Sequence, residues 1–369
     1  MKAKILKSNF AKALTQVSKI VGNRTTLPVL NNILISFENG KIVFSATDLE
    51  IGITTQIIGK VVEEGKITLP ARILNDFVNN NRDESIEITI ENLTALLKSD
   101  HFEAKIMGIS DDEFPSIPVP TKECLVKITK KDLFDALKKV SIASATDETR
   151  PVLAGVYFQF LGGELVLAAT DSYRLAEKKI KLESNVKDIL AIVPNRTITE
   201  VLRLLSSIDD KEMVSIYLDE NQISFKLMET FVISRLIEGS FPDYNQIVPS
   251  EFKTSFKAKL SDISSAVKMA SLFAKDSANN NIKVKIEEKK VVIFSVDTQS
   301  GSAKSDLSAE VTGDKLEIAF NARYVTDAIN VISDQEVVFK FNQSSSPGLI
   351  QSQKDKNYTY IIMPLKADE

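Results

Sequence analysis

Two threonine–aspartate pairs are the first residues in this chain that could carry chemistry. Thr47-Asp48 and Thr170-Asp171 each end a strand-like apolar run, and a carboxylate placed there could act as a general acid or base. The other reading is scaffold, because short polar side chains at a strand end hydrogen-bond the local backbone. Repetition favours scaffold, since a fold element recurs where a single active site does not. Three arginines recur in the same manner. Pro70-Ala71-Arg72, Pro194-Asn195-Arg196 and Asn321-Ala322-Arg323 each open a helical run. A guanidinium in that place can meet phosphate or close a structural ion pair.

Other catalytic equipment is sparse. His101 is the one histidine and Cys124 the one cysteine, and nothing pairs them with each other or with a serine. No cysteine and histidine cluster has zinc spacing. The chain has no GxxxxGK[ST] phosphate loop, no GxGxxG opening a helix and no GxSxG elbow. The expectation is a protein without metal, cofactor or enzymatic activity. A nucleic-acid repair enzyme, with carboxylates brought together by folding, stands as a disfavoured alternative.

The elements that would position these residues repeat. Pro28, Leu30, Gly40 and Asp48 recur as Pro151, Leu153, Gly163 and Asp171, each 123 positions on and without a gap. Fixed-period repetition governs the fold reading. Each copy alternates apolar and polar residues (Ile33, Ile35, Phe37; Val156, Phe158, Phe160) up to a turn, Asn39-Gly40 or Gly162-Gly163, that suits a β-hairpin. A weaker third copy carries Ile282, Val284 and Ile286, then Val291–Ser295. An amphipathic helix precedes each hairpin, over 8–22, 130–144 and 261–274, and a second follows, over 73–78, 198–205 and 324–332. Phe114-Pro115 and Phe241-Pro242 close the first two copies. The expected fold is α+β, with domains at 1–121, 122–250 and 251–369 and linkers at 115–123 and 249–253.

With 369 residues and 43% hydrophobic content, each third can bury its own core. A lone cysteine forms no disulfide within a chain, and no apolar run is long enough to span a bilayer, so a cytoplasmic protein without a membrane partner is expected. Net charge is −4, which by itself does not point to nucleic acid. The distribution says more. The first helices carry Lys12 and Lys19, then Lys130, Lys131, Lys138 and Lys139, then Lys268, while acids gather at Asp111-Asp112-Glu113 and Asp209-Asp210. That pattern suggests a segregated positive face. Charge alone favours the plainer reading of solvated helix faces.

Taken together, an ordered set of segments resembles the bacterial DNA polymerase III beta subunit family of replicative sliding clamps. They are Arg24-Thr25-Thr26-Leu27-Pro28-Val29-Leu30, Ala46-Thr47-Asp48-Leu49-Glu50, Leu69-Pro70-Ala71-Arg72, Ala169-Thr170-Asp171-Ser172-Tyr173-Arg174-Leu175-Ala176, Phe241-Pro242-Asp243-Tyr244 and Tyr360-Ile361-Ile362-Met363-Pro364-Leu365. The resemblance implies three clamp-type domains, each of two helices on antiparallel sheets. It also implies a head-to-tail homodimeric ring around duplex DNA, loaded by an ATP-dependent clamp loader. The partners would be the replicative polymerase's catalytic subunit and other clamp-binding proteins of replication and repair.

The resemblance implies DNA-facing roles for Arg24, Arg72, Lys12, Arg150 and Arg196. It implies a peptide groove between the second and third domains, built from several segments. The second domain would supply Leu153, Thr170, Ser172, Tyr173, Arg174 and Leu175, and the following stretch Pro242, Gln246 and Ile247. The third would supply Pro347, Ile361, Met363, Pro364 and Leu365. Leu175, Pro242, Ile247, Ile361 and Met363 would form an apolar floor for a partner's hydrophobic anchors. Ile106 would meet Leu272 and Phe273 across the dimer contact, although the latter two fit an ordinary core equally well. Tyr173 stands where the family often has histidine, Asn245-Gln246 replaces a frequent basic pair, and residues 366–369 extend the tail. A monomeric repeat scaffold that binds peptides but not DNA is the competing non-enzymatic reading.

Overall fold

The computed structural model describes residues 1–22, 27–38, 40–147, 149–183, 186–274, 280–297 and 300–365. One order of elements runs through it three times, less one short strand in the second pass among the described residues. The first pass is β1 (Lys2–Leu6), α1 (Lys7–Val17), β2 (Asn32–Glu38), β3 (Lys41–Thr47), β4 (Ile51–Ile58), β5 (Lys60–Glu63), β6 (Gly65–Pro70), α2 (Ala71–Asn80), β7 (Ser85–Glu91), β8 (Thr94–Lys98) and β9 (Glu103–Met107). The second is β10 (Val126–Thr129), α3 (Lys130–Ser141), β11 (Gly155–Leu161), β12 (Glu164–Thr170), β13 (Arg174–Lys181), β14 (Ile189–Pro194), α4 (Asn195–Leu205), β15 (Met213–Leu218), β16 (Gln222–Leu227) and β17 (Thr230–Arg235). The third is β18 (Thr254–Lys259), α5 (Leu260–Ala274), β19 (Asn281–Ile286), β20 (Lys290–Asp297), β21 (Gly301–Ser308), β22 (Glu310–Thr312), β23 (Leu316–Asn321), α6 (Ala322–Val331), β24 (Glu336–Phe341), β25 (Gly348–Ser352) and β26 (Tyr358–Ile362).

Both helices expected in each third form. The first stops earlier than its apolar pattern suggests. After Val17 the chain tightens into a 3₁₀ turn, Ser18–Ile20. Phe10, Ala13, Leu14 and Val17 make one buried stripe on α1. Each large apolar side chain buried this way contributes about 1.5–3 kcal/mol. The strands show the period-two counterpart: β7 buries Ile86, Ile88 and Ile90 and turns Glu87 and Thr89 outward. Gly162 and Gly163, at φ 58° and 80°, form the left-handed pair that a two-residue hairpin needs.

The chain divides into two compact units. One comprises 1–131 with 203–236, the other 132–202 with 237–369. Unit one holds a five-stranded sheet, β5-β1-β7-β8-β9, and an eight-stranded sheet, β10-β15-β16-β17-β4-β3-β2-β6. Unit two holds a nine-stranded sheet, β14-β11-β12-β13-β26-β25-β24-β18-β22, and a four-stranded sheet, β21-β20-β19-β23. The strands of the middle third are therefore shared between the two units, because each large sheet runs continuously through a junction of repeats.

Those two junctions share a register. In unit one β4 pairs antiparallel with β17, with Ile53 opposite Val232 and Gly52 opposite Ile233. In unit two β13 pairs antiparallel with β26, with Ala176 opposite Tyr360 and Leu175 opposite Ile361. Moving Ile53 and Gly52 by the repeat offset of 123 gives Ala176 and Leu175. β4 and β13 are thus the same strand of successive repeats, and each pairs with the last strand of the next. The third repeat's version of β4 is β21, and the first repeat's last strand is β9. Both end their sheets.

Candidate peptide groove and nucleic-acid face

The threonine–aspartate pairs build turns. Thr170 Oγ1 donates to the Arg174 carbonyl at 2.7 Å and accepts from the Ser172 amide at 3.2 Å. Asp171 Oδ1 accepts from the amides of Tyr173 and Arg174, both at 2.9 Å. Thr47 and Asp48 repeat the set: Thr47 Oγ1 reaches the Ile51 carbonyl at 2.9 Å, and Asp48 Oδ1 takes the Glu50 and Ile51 amides at 3.0 and 2.8 Å. Leu49 and Ser172 sit at φ 80° and 77°, so both turns hold a side-chain-bearing residue in the left-handed region. The repeated pairs are scaffold.

Arg174 follows the second turn and is 6% exposed. Its Nε meets Asp171 Oδ2 at 3.0 Å, and Nη1 bonds Asp327. The guanidinium lies 4.4 Å from the ring centre of Tyr324. Burial works against its charge, but Tyr360, Asp327 and Asp171 outweigh it and push its pKa up. Expected among the groove residues, Arg174 is a buried brace between the turn and α6.

A cavity of about 370 Å³ opens in front of this brace. It gathers Leu153, Ser172, Tyr173 and Arg174 of the expected groove set, and Arg150 with them. Arg323 and Tyr324 of α6, and residues Ser144–Asp147 after α3, complete it. Tyr173, 61% exposed, stacks on Tyr324 at 6.4 Å between ring centres. Sequence reasoning marked Asn321-Ala322-Arg323 as a recurring helix start but gave neither Arg323 nor Tyr324 a groove role. Their position directly after that repeated element was the available signal.

The residues expected as the floor divide between core and surface. Leu175 and Ile361 are each 1% exposed and lie in a core with Ala168, Tyr244 and Leu349. They face one another across the β13–β26 pair, which turns both side chains into the protein. Tyr244, missed as a site residue, helps close this core; its hydroxyl donates to Glu177 Oε2 at 2.7 Å. Burial first, and the neighbouring Glu177 second, push the Tyr244 pKa up. The apolar surface left outside is Pro242, Ile247 at 46% exposure and Met363 at 36%. The exposed Gln246 donates to Asp243 at 2.9 Å. Thr170 is buried within its turn, and Pro347 sits half-buried just before β25. Pro364 and Leu365 are half-buried on a tail held at both sides: the Met363 amide donates to the Tyr173 carbonyl and the Leu365 amide to the Ala319 carbonyl, each at 2.8 Å.

The basic residues fall into two groups. Lys12 and Arg72 are exposed, and Arg72 shares a cleft of about 450 Å³ with Lys19 and Ile73. Arg196 is exposed in the first turn of α4. Arg24 lies outside the described residues. Arg150, expected toward DNA, lines the groove cavity instead and donates to Ser172 Oγ at 3.3 Å. The basic face expected of α3 is halved. Lys130 is buried against Asp210 at 2.6 Å, and Lys139 lies between Asp135 and Asp355 at 2.8 and 2.7 Å. Burial opposes the charge of Lys139, yet the two carboxylates raise its pKa. Lys131 and Lys138 stay exposed.

At the sheet edge β9, Ile106 is 4% exposed, so its side chain belongs to its own core. Met107 beside it, at 81%, is the apolar residue facing out. Leu272 is 55% exposed and Phe273 half-buried at the end of α5, so Leu272 at least is not core. Among the described residues no group of three or more His, Cys, Asp or Glu side chains could hold a metal ion. Among the described residues no helix is long and apolar enough to cross a membrane.

Comparisons with known proteins agree with this architecture. Models of the N-terminal, central and C-terminal domains of the DNA polymerase III beta subunit match residues 1–118, 127–243 and 245–366. The chain is 30% identical to the beta sliding clamp of Staphylococcus epidermidis over the full length of both. It matches a crystal structure of the DNA polymerase sliding clamp from Bacillus subtilis with a TM-score of 0.96 and 28% identity, covering all of both chains. A sliding clamp from Bartonella birtlesii, solved bound to griselimycin, gives a TM-score of 0.95 and 31% identity over the same full extent. With three domain models matched in order and full-length relatives at this identity, the chain belongs to the DNA polymerase III beta subunit family of sliding clamps.

Proposed function

We propose that the chain acts as a non-enzymatic sliding clamp: a head-to-tail homodimeric ring that encircles duplex DNA and tethers a replicative polymerase to it. The observation that carries the ring is the register shared by the two internal junctions. Each joins the β4-type strand of one repeat to the last strand of the next, and β21 and β9 are the two such strands left at sheet edges. An open edge invites pairing with another chain. A second copy supplies the complementary edge, and two such contacts close a ring. Domains at 1–121, 122–250 and 251–369 then serve as six segments of that ring.

Retention by closure removes the need for tight binding. Lys12, Arg72 and Arg196 supply diffuse charge to phosphate without reading bases, as free sliding requires. Arg24 fits the same role by sequence. An excess of acidic residues over the whole chain disfavours DNA elsewhere on the surface. An ATP-dependent loader opens the ring, and polymerase and repair partners dock a short peptide at Pro242, Ile247, Tyr173 and Met363.

Light scattering during gel filtration over a dilution series tests the ring. The expected mass is about twice 40.9 kDa and persists on dilution. The ring, once loaded, stays on circular DNA through a high-salt wash and leaves when the circle is cut. A monomer at all concentrations would refute the topological mechanism and favour a peptide-binding scaffold.

A further inference from the structure

Another cavity, of about 300 Å³, lies within unit one, between the sheet face at Tyr217, Phe231 and Ile233 and the linker stretch 117–120. The linker is pinned at both ends. Ile117 packs on Gly52, where an added Cβ would come within 2.8 Å of its Cγ2, and the Thr121 hydroxyl donates to Asp219 Oδ1 at 2.6 Å. Between these points Pro118 and Pro120 stiffen the backbone, which leaves it little freedom to collapse into the cavity.

Two polar groups at this cavity await partners. Tyr217, Ser224 and Ile233 stand opposite one another on β15, β16 and β17, so their side chains share one face of the sheet. Ser224 is 1% exposed, and its hydroxyl has no hydrogen-bond partner among the described residues. Leaving a buried hydroxyl unmatched is unfavourable, so a bound group that completes it is favoured. Lys226 shares that face two residues along β16, roughly 7 Å away. Its Nζ lies 5.4 Å from the Phe231 ring centre, and among the described residues it enters no ion pair. The rings of Tyr217 and Phe231, 6.3 Å apart, supply an apolar wall between the two.

The repeat says what kind of occupant belongs there. Gly52 with Ile233 holds the place at the first junction that Leu175 with Ile361 holds at the second. Phe114-Pro115 and Phe241-Pro242 precede the two linkers, so Ile117 corresponds to Tyr244 and Pro120 to Ile247. We propose that this cavity is a separate docking site for a partner peptide that presents a tyrosine with an acidic residue beside it. The tyrosine ring packs on Tyr217 and Phe231, its hydroxyl pairs with Ser224, and the carboxylate meets Lys226 at the rim. The choice of a peptide rests on the groove reading above, because the cavity is the first junction's counterpart of the surface at Ile247. The unpaired charge of Lys226 sets the sign of the peptide, and the hydroxyl of Ser224 sets tyrosine above phenylalanine. Partners with different motifs can then occupy one ring together.

The test measures fluorescence anisotropy of labelled peptides with the full chain. The peptides lack leucine and glutamine and carry tyrosine–aspartate, phenylalanine–aspartate or tyrosine–asparagine at their centre. At about 50 mM salt the tyrosine–aspartate peptide should bind roughly fivefold tighter than either of the others. Ser224→Ala should bring the tyrosine–aspartate and phenylalanine–aspartate peptides level, and Lys226→Gln should bring the tyrosine–aspartate and tyrosine–asparagine peptides level. Ile247→Ala combined with Met363→Ala, which strips the apolar surface of the groove, should leave all three affinities in place. Survival of either preference in its own variant would overturn the proposal, as would loss of binding in the Ile247 and Met363 variant. A control peptide with one glutamine and two leucines separates the two readings. If the control binds and the tyrosine–aspartate peptide does not, the second site falls and the groove stands; if neither binds, both fall.

Discussion

Asp171 holds one turn together with both of its oxygens. Oδ1 accepts two amide hydrogens and Oδ2 meets Arg174. Replacing it removes three acceptances at once. Asp171→Ala should lower stability by about 2–3 kcal/mol, because the two amides lose their acceptor and the buried guanidinium keeps only Asp327 as a carboxylate partner. Asp171→Asn keeps the Oδ1 contacts and should cost less; urea unfolding of the two variants checks the order. His101 gives a second residue-scale expectation. Its Nδ1 lies 2.7 Å from Asp83 Oδ1, and that hydrogen bond raises the imidazole pKa above its usual value. Ser99 first, then His101, hold the Asp83 carboxyl at about 2. A raised histidine pKa stabilises the fold fully below the unfolded value near 6.5 and loses that contribution as pH rises through the folded one. The lowered Asp83 behaves oppositely: its contribution is present above the unfolded carboxylate value and fades as pH falls toward 2. Since His101 is the one histidine, its proton NMR titration is unambiguous, and Asp83→Asn should move the midpoint down.

At the scale of elements, α1 and α3 occupy the same place in their repeats but use their lysines differently. Lys12 on α1 is exposed, whereas Lys139 on α3 is 6% exposed between two aspartates. Lys139→Met should destabilise the protein by roughly 1.5–3 kcal/mol, since two charge-assisted hydrogen bonds are lost while Asp355 keeps Lys178, and should leave DNA affinity unchanged. Arg72→Gln should do the reverse: unchanged unfolding, and a slope of log affinity against log salt shallower by about 0.9 if one phosphate contact is lost. The contrast marks what was legible. The helices and hairpins followed from apolar periodicity, because burial of one face is a local property of the chain. The fate of Lys139 was not, because its partner Asp355 lies 216 residues away and only folding brings it near. Leu175 and Ile361, expected in one apolar floor, are paired and buried: a sequence shows that two apolar residues are alike, not that their strands pair and turn both inward. Tyr324 was missed because its role depends on Tyr173 stacking from a distant turn.

For the whole molecule, the shared register allows the contact between copies to be stated residue by residue. Glu50 opposite Arg235 and Gln56 opposite Glu229 are hydrogen-bonded pairs at the first junction, as are Tyr173 opposite Met363 and Lys179 opposite Asn357 at the second. Bonded and non-bonded pairs alternate along an antiparallel ladder. Ile53 with Val232, and Ala176 with Tyr360, are therefore non-bonded pairs. The third junction follows from the neighbouring hairpins. Val296 opposite Ser302 corresponds to Ala46 opposite Ile53, so Ser302 takes the place of Ile53. Leu97 opposite Ala104 corresponds to Phe225 opposite Val232, so Ala104 takes the place of Val232. Ser302 of one copy should face Ala104 of the other at a non-bonded position. Cα atoms there lie about 4.5 Å apart, within the range a disulfide spans. In a Cys124→Ser background, Ala104→Cys combined with Ser302→Cys should oxidise to a covalent dimer in high yield. Ala104→Cys with Lys304→Cys, two residues out of register, should link poorly. Equal yields from both pairs would mean that the edges meet without this register. No product from either would mean that β9 and β21 do not pair. Closure at both contacts makes a ring that denaturant cannot open, so the linked protein loaded on a DNA circle should survive denaturation on that circle until reductant is added. That last outcome ties the repeat in the sequence to topological retention, because two copies of one unsatisfied edge pair are the only joints the ring requires.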